Sequence, residues 1–161
     1  MISNLKISAK FSIIIALSAL AIGAVALVGL STLRANILND RQVKLRDEVQ
    51  LVLQMISLDY NASKRAGTSD QEASARSKAL LKALRVGGDD YFFAAEESGL
   101  LLVHPSVEGK NLIDAKDANG VSYIKNMIDG AKAGGRFVHF EFPRIGGDVP
   151  VPKIGYALEF R

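Results

Sequence analysis

The side chains able to do chemistry are few in this chain, and their types favour binding over bond-making. Among 161 residues there is no Cys, and there are two His. The missing thiol excludes a disulfide framework, thiol catalysis and Cys-ligated zinc or iron–sulfur sites. His104 and His139 sit in the same half of the chain as Glu141 and Asp148, but no zinc-ligand spacing joins them. Asp114 to Gly120 has the flavour of a calcium loop, yet its carboxylate spacing fails and Ala118 interrupts it. No Ser/His/Asp arrangement, phosphate-cradling glycine loop or paired-carboxylate motif stands out, and Asp89-Asp90 reads as a turn. The expectation is a non-enzyme with neither metal nor cofactor. What remains is binding chemistry, from donors and aromatic rings, among them Tyr91, Phe93, His104, Lys110, Lys153 and Tyr156.

The elements that must position these groups begin with one apolar run. Phe11 to Leu33 is 23 residues without a charge, 17 of them apolar, bounded by Lys10 and Arg34. At about 1.5 Å per residue a helix of this length reaches roughly 34 Å, enough to cross a hydrocarbon core of about 30 Å. The reading is a transmembrane helix. A cleaved signal peptide is the competing one, with Lys6 and Lys10 as its basic flank and Ala24-Val25-Ala26 as a cleavage site. The run continues apolar through Leu27, Val28 and Leu30, which favours retention. The short acid-free tail 1–10 is expected on the cytoplasmic side, and 34–161 outside. The formal charge of +3 then separates into +2 on the tail and, with 18 Lys+Arg against 17 Asp+Glu, +1 on residues 34–161. Nothing there has the basic stripe of a nucleic-acid-binding surface.

Glycine and proline divide the rest. Residues 1–86 hold three Gly and no Pro, whereas 87–161 hold eleven Gly and all four Pro. The first part is therefore expected to be helical and the second rich in turns and strands. Leu38, Leu45, Val49, Val52 and Ile56 mark one helix face with a hint of heptad spacing, suited to a partner chain or to the protein's own sheet. Gly67 offers a stop. Ser69 and Glu72 have capping-box spacing ahead of a second helix that carries Ala79, Leu80, Ala83 and Leu84 and ends at Gly87-Gly88. Tyr91–Ala95 and Leu100–His104 read as a hairpin around Glu97-Ser98-Gly99. A polar loop follows over 106–120, then a helix over 121–133 with Ile124, Ile128 and Ala131 on one face. Val138, Phe140 and Phe142 alternate against Phe137, His139 and Glu141. A loop Pro143–Pro152 leads to the alternating Ile154, Tyr156, Leu158 and Phe160, which closes a second hairpin.

Residues 87–120 resemble the single-Cache domain of bacterial chemoreceptors. The motifs that carry the likeness are Tyr91-Phe92-Phe93, His104-Pro105, Glu108-Gly109-Lys110-Asn111-Leu112 and Lys116-Asp117-Ala118-Asn119-Gly120. Residues 137–156 continue it with an aromatic strand to Pro143 and then Pro150-x-Pro152-Lys153-x-x-Tyr156. The resemblance covers about 34–161. It implies an α+β architecture: the membrane helix continues into a long helix that packs on a PAS-like antiparallel sheet, whose cavity binds a small ligand, often a short carboxylate. It also implies a further Trp-containing turn, one or two strands and a second span beyond Phe160-Arg161, so the sheet is expected to be truncated at its C-terminal edge.

A small anion in a half-apolar pocket needs charge-assisted donors and an aromatic wall. Lys153 and Tyr156 are expected to reach such a cavity from one strand. Tyr91 and Phe93 lie two apart and share a strand face. His104 closes the neighbouring strand, and Lys110 is a sixth, more peripheral candidate. The function expected is the extracytoplasmic sensor part of a methyl-accepting chemotaxis receptor in the inner membrane: residues 1–10 as cytoplasmic tail, 11–33 as span, 34–161 as ligand-binding domain, and the long helix as a homodimer interface. The alternatives are the same sensor on a histidine kinase or diguanylate cyclase, or a stand-alone anchored binding protein.

Overall fold

The computed structural model describes residues 6–84, 86–87 and 90–160. The chain divides into two compact units, 1–43 and 44–161. The first is helical from Ile7, as part of helix α1 (Ile7–Arg65). Its described large apolar side chains are open: Leu20 and Ile22 are each 71% exposed and Leu27 72%. Water does not tolerate a long bare apolar helix, so this exposure fits a lipid environment. The most apolar 18-residue window of the helix has a mean hydropathy of 2.1, and none of it is buried.

In the second unit, α1 ends where glycine makes an end possible. Gly67 adopts φ 83°. Its N–H donates to the Lys64 carbonyl and that of Thr68 to the Ser63 carbonyl, a Schellman closure of the last turn. Helix α2 (Asp70–Ala83) starts with the expected capping box. The Glu72 N–H donates to Ser69 Oγ, and the Ser69 N–H donates to the Glu72 carboxylate. The helix stops earlier than expected, at Leu84, whose backbone is already extended. Gly88 and Asp89 lie outside the described residues. Arg76 of α2 bonds both carboxylate oxygens of Asp59 on α1 at 3.0 and 2.9 Å.

The strand region forms two antiparallel pairs. β1 (Ala94–Ala95) pairs with β2 (Leu101–Val103), and β3 (Arg136–Pro143) with β4 (Pro150–Ala157). The first hairpin is shorter than the sequence suggests. Its register shifts between Ala94 and Ala95, and Tyr91–Phe93 form no ladder. Tyr91 and Phe93 pack their rings on His104 instead of pairing. The second hairpin is longer than expected. β4 begins at Pro150 rather than near Ile154, and its two prolines face Pro143 and Glu141. Proline offers no ladder donor and is tolerated at a sheet edge.

Helix α3 (Tyr123–Lys132) covers the second hairpin. Its deepest residues are Tyr123, Ile124, Met127 and Gly130, so the buried stripe lies slightly to one side of the expected Ile124, Ile128, Ala131 face. Gly130 lets the helix meet β3, since a Cβ there would stand 2.5 Å from that of Arg136. Leu101, Tyr123, Ile124, Met127 and Val138 form the core, with Phe93, Phe140 and Phe142 half-buried against it.

Candidate functional site

One cavity opens beside this core. It is lined by Tyr91, Phe93, Leu101, His104, Leu112, Tyr123, Ile124, Met127, Phe140 and Phe142, and part of it is continuous with solvent. The enclosed space is small and its walls are mostly apolar, which suits a ligand of a few heavy atoms.

The polar groups at its rim are fixed by local backbone chemistry. His104 directly follows β2, and Pro105 has no N–H. The first donors available to the ring are therefore Ser106 and Val107, whose N–H groups both donate to His104 Nδ1, at 3.1 and 3.2 Å. With Nδ1 occupied as an acceptor, the neutral ring carries its proton on Nε2 and is a donor there. Burial, reinforced by the charge of Lys153 and opposed by Glu108, pushes the His104 pKa down to about 4. The ring is thus uncharged at neutral pH. It stands edge-on to Tyr91 at 4.9 Å and to Phe142 at 5.7 Å, centroid to centroid. Burial raises the Tyr91 hydroxyl to about 12, so that group also remains a donor. Tyr123 stacks on Phe140 at 5.2 Å.

Lys153 brings the positive charge. It faces Phe140 across the β3–β4 ladder. Its Nζ is buried, 4.8 Å from the Tyr91 ring centre and 5.7 Å from that of Phe142. The ammonium thus lies beside two of the rings that help line the cavity. Cation–π contact of this kind offsets part of the cost of burying the charge.

Of the six residues singled out by sequence, Tyr91, Phe93 and His104 line the cavity, and Lys153 adjoins it. Lys110 is exposed on the loop after β2, with its backbone carbonyl accepting from Leu101. Tyr156 is on the other face of β4. It pairs with Phe137, ring centres 4.7 Å apart, while Lys153 pairs with Phe140. Positions 153 and 156 differ by an odd number, and a strand sends odd neighbours to opposite faces. Their joint approach to one cavity, expected from the sequence, is therefore not what the strand geometry gives.

Residues that sequence reasoning left as core or loop also build the site. Phe140 and Phe142 were legible as one strand face but not as cavity wall. Met127 and Tyr123 enter from α3. Asp117 serves as a clamp. Its Oδ1 accepts from the N–H of Asn119 and Val121 at 2.9 and 2.8 Å, and its Oδ2 from Glu141 at 2.9 Å. It ties the loop before α3 to β3, and the same bonds, that from Val121 foremost, lower its pKa from the ordinary value. Among the described residues no cluster of His, Asp or Glu is arranged to hold a metal ion.

Comparison with known proteins agrees with this arrangement. The chain is 29% identical over 129 residues to the methyl-accepting chemotaxis protein CtpM of Pseudomonas aeruginosa, covering 78% of this chain and 22% of that protein. It is 30% identical over 132 residues to the sensor histidine kinase MctS of Rhizobium johnstonii, covering 80% and 28%. It therefore spans roughly a quarter of the length of these relatives. A solved periplasmic sensor domain of a chemotaxis protein superposes with a TM-score of 0.71 at 28% identity, covering 77% of this chain and 89% of that one. A Cache chemosensory domain described as recognising carboxylic acids superposes with a TM-score of 0.68 at 25% identity, covering 75% and 85%. Residues 37–161 match the family described as Single Cache domain 2, and the chain belongs to that family of receptor sensor domains.

Proposed function

We propose that residues 34–161 are the extracytoplasmic sensor domain of a membrane chemoreceptor, held by a span over 11–33 with residues 1–10 in the cytoplasm, and that the ligand is a small carboxylate. The observation that carries this reading is the juxtaposition of a buried Lys153 ammonium with a small, mostly apolar cavity rimmed by two neutral donors, His104 and Tyr91. A carboxylate is attracted by the charge and accepts from the two neutral donors, and a short apolar tail packs on the walls. The structurally similar domain described for carboxylic acid recognition supports the same class. Signalling then requires that the ligand bind two packings of the domain unequally, since equal affinity shifts no equilibrium. A homodimer through the long helix belongs to this proposal. Leu45, Val49, Val52 and Ile56 are half-buried within the unit, whereas Leu51, Met55 and Leu58 are 50–60% exposed and form the open face.

Calorimetry with a panel of short carboxylates on the full chain in nanodiscs tests the ligand class. Lys153→Met keeps the stem's packing and removes the charge. The expected result is a loss of about 10- to 100-fold in affinity, the worth of one charge-assisted hydrogen bond. Equal binding by the variant removes Lys153 from the site. The same sensor upstream of a histidine kinase is the second reading, favoured by the similarity to MctS. The coding sequence after codon 161 distinguishes the two.

A further inference from the structure

Gly155 lies two residues after Lys153 on β4, opposite Val138. It therefore faces the same side of the ladder as Lys153, about 7 Å further along the strand. Its φ is not in the left-handed region, so its backbone does not demand glycine. Space does. A Cβ built at Gly155 overlaps the Met127 methyl group, and stands 3.3 Å from Met127 Sδ and from Phe140 Cε1. Met127 is 2% exposed and is itself part of the cavity lining, as is Phe140. The missing side chain on β4 is thus the seat into which the tip of a cavity residue from α3 fits.

We propose that Met127, seated on Gly155, is the length gauge of the ligand cavity. This inference rests on the reading of the cavity as a carboxylate site. With the carboxylate held at the Lys153, His104 and Tyr91 end, the ligand's apolar tail runs toward α3 and stops at the Met127 thioether. Gly155 is a positioning residue: it sets how deeply Met127 withdraws, and so how long a tail the cavity accepts. Met127 is unbranched, and its tip moves at little cost. Filling the seat therefore displaces the thioether, and the open side is the cavity.

The test is a ladder of straight-chain monocarboxylates, from acetate upward, titrated calorimetrically into the full chain in nanodiscs. In the wild type, affinity rises about fourfold per added methylene, the worth of one buried CH₂, and then falls at least tenfold beyond a cut-off length. Met127→Ala removes three heavy atoms and moves the cut-off two or three carbons longer. Gly155→Ala moves it at least one carbon shorter. In Gly155→Ala/Met127→Ala the partner in the overlap is gone, so the cut-off returns to that of Met127→Ala alone, a non-additivity that merely summed destabilisation does not produce. Met127→Leu, close in volume but shorter in reach, covers the case in which the alanine variant fails to fold, and moves the cut-off one carbon longer. An unchanged cut-off in the Met127 variants overturns the gauge and leaves the carboxylate reading standing. No binding of any acid by the folded wild type overturns that reading, and the gauge with it.

Discussion

His104 serves two roles with its two ring nitrogens, and this makes a prediction at the scale of one residue. Nδ1 holds the turn after β2 through Ser106 and Val107, which leaves Nε2 as the ring's donor. Protonating the ring would place a proton on Nδ1, against two N–H groups and beside Lys153. Burial foremost, reinforced by the Lys153 charge, pushes the pKa down to about 4, against roughly 6.5 for the unfolded chain. Between these values the unfolded state binds more protons than the folded one, so folding stability is greatest above about pH 6.5 and declines as pH falls toward 4. A proton NMR titration should find a His104 midpoint well below that of a free histidine, and urea midpoints should drop between pH 7 and 5. His104→Ala should be less stable at neutral pH and should lose most of that slope. Asp117 works in the opposite chemical sense. Its carboxylate accepts three backbone N–H groups, so its stabilisation is present above the ordinary carboxylate range, about pH 3.9, and is lost as pH falls through its lower folded value. Asp117→Ala should lower the melting temperature at pH 7, with the gap to the wild type closing below about pH 4. The Lys-Asp-x-Asn-Gly spacing announced a turn. The bond from Asp117 to the Glu141 N–H was not legible, because it joins positions 24 apart that only the fold brings together.

At the scale of elements, what could be read from sequence was what local chemistry decides. Ser69 and Glu72 identify a helix start because their reciprocal bonds involve only neighbouring residues, and both bonds are present. Ser69→Ala should cost about 1 kcal/mol, measured as a drop of several degrees in melting temperature. Gly67 marks a helix stop for the same local reason. The alternation of Val138, Phe140 and Phe142 likewise announces a strand with one inward face, and Val138 is 5% exposed. The first hairpin was less legible. Tyr91 and Phe93 have the residue types of a strand, but their rings find His104 just after β2 at 4.9 and 6.0 Å, and the backbone there forms no ladder. Tertiary packing overrode strand propensity at the segment that builds the cavity. The same reasoning places Tyr156 outside the site. Periodicity established that β4 alternates, but which parity faced the cavity depended on the register with β3, and register is a long-range property. Phe140 opposite Lys153 and Phe137 opposite Tyr156 settle it.

At the scale of the whole molecule, the central proposition is that a binding domain sits on one side of a membrane and its N-terminus on the other. The physical basis is the contrast between two stretches of sequence. One has 23 uncharged residues, and the apolar side chains described among them stand open. The other is nearly neutral, mixes charged and apolar residues, and has its own core and cavity. Burying the first in lipid satisfies its apolar surface and leaves its helical backbone bonds intact. The charges flanking the span do not decide its direction, because Lys6 and Lys10 precede it while Arg34, Arg41, Lys44 and Arg46 follow. The direction instead rests on the short acid-free tail and on the similarity of 37–161 to a periplasmic sensor domain. Because the chain contains no Cys, topology can be read without removing any native thiol. Ala75→Cys on the exposed face of α2 should react with a membrane-impermeant maleimide once the outer membrane is permeabilised, and Ser3→Cys only after the inner membrane is lysed. The labelled protein should sediment with membranes and retain the mass of the full chain. The reverse labelling pattern would invert the topology and place the cavity in the cytoplasm. A soluble product lighter by about two dozen residues would instead make Phe11 to Leu33 a leader rather than an anchor. In that case α1 could not carry a ligand-induced shift from the cavity across the bilayer, and the signalling part of the proposal would fail while the binding part stood.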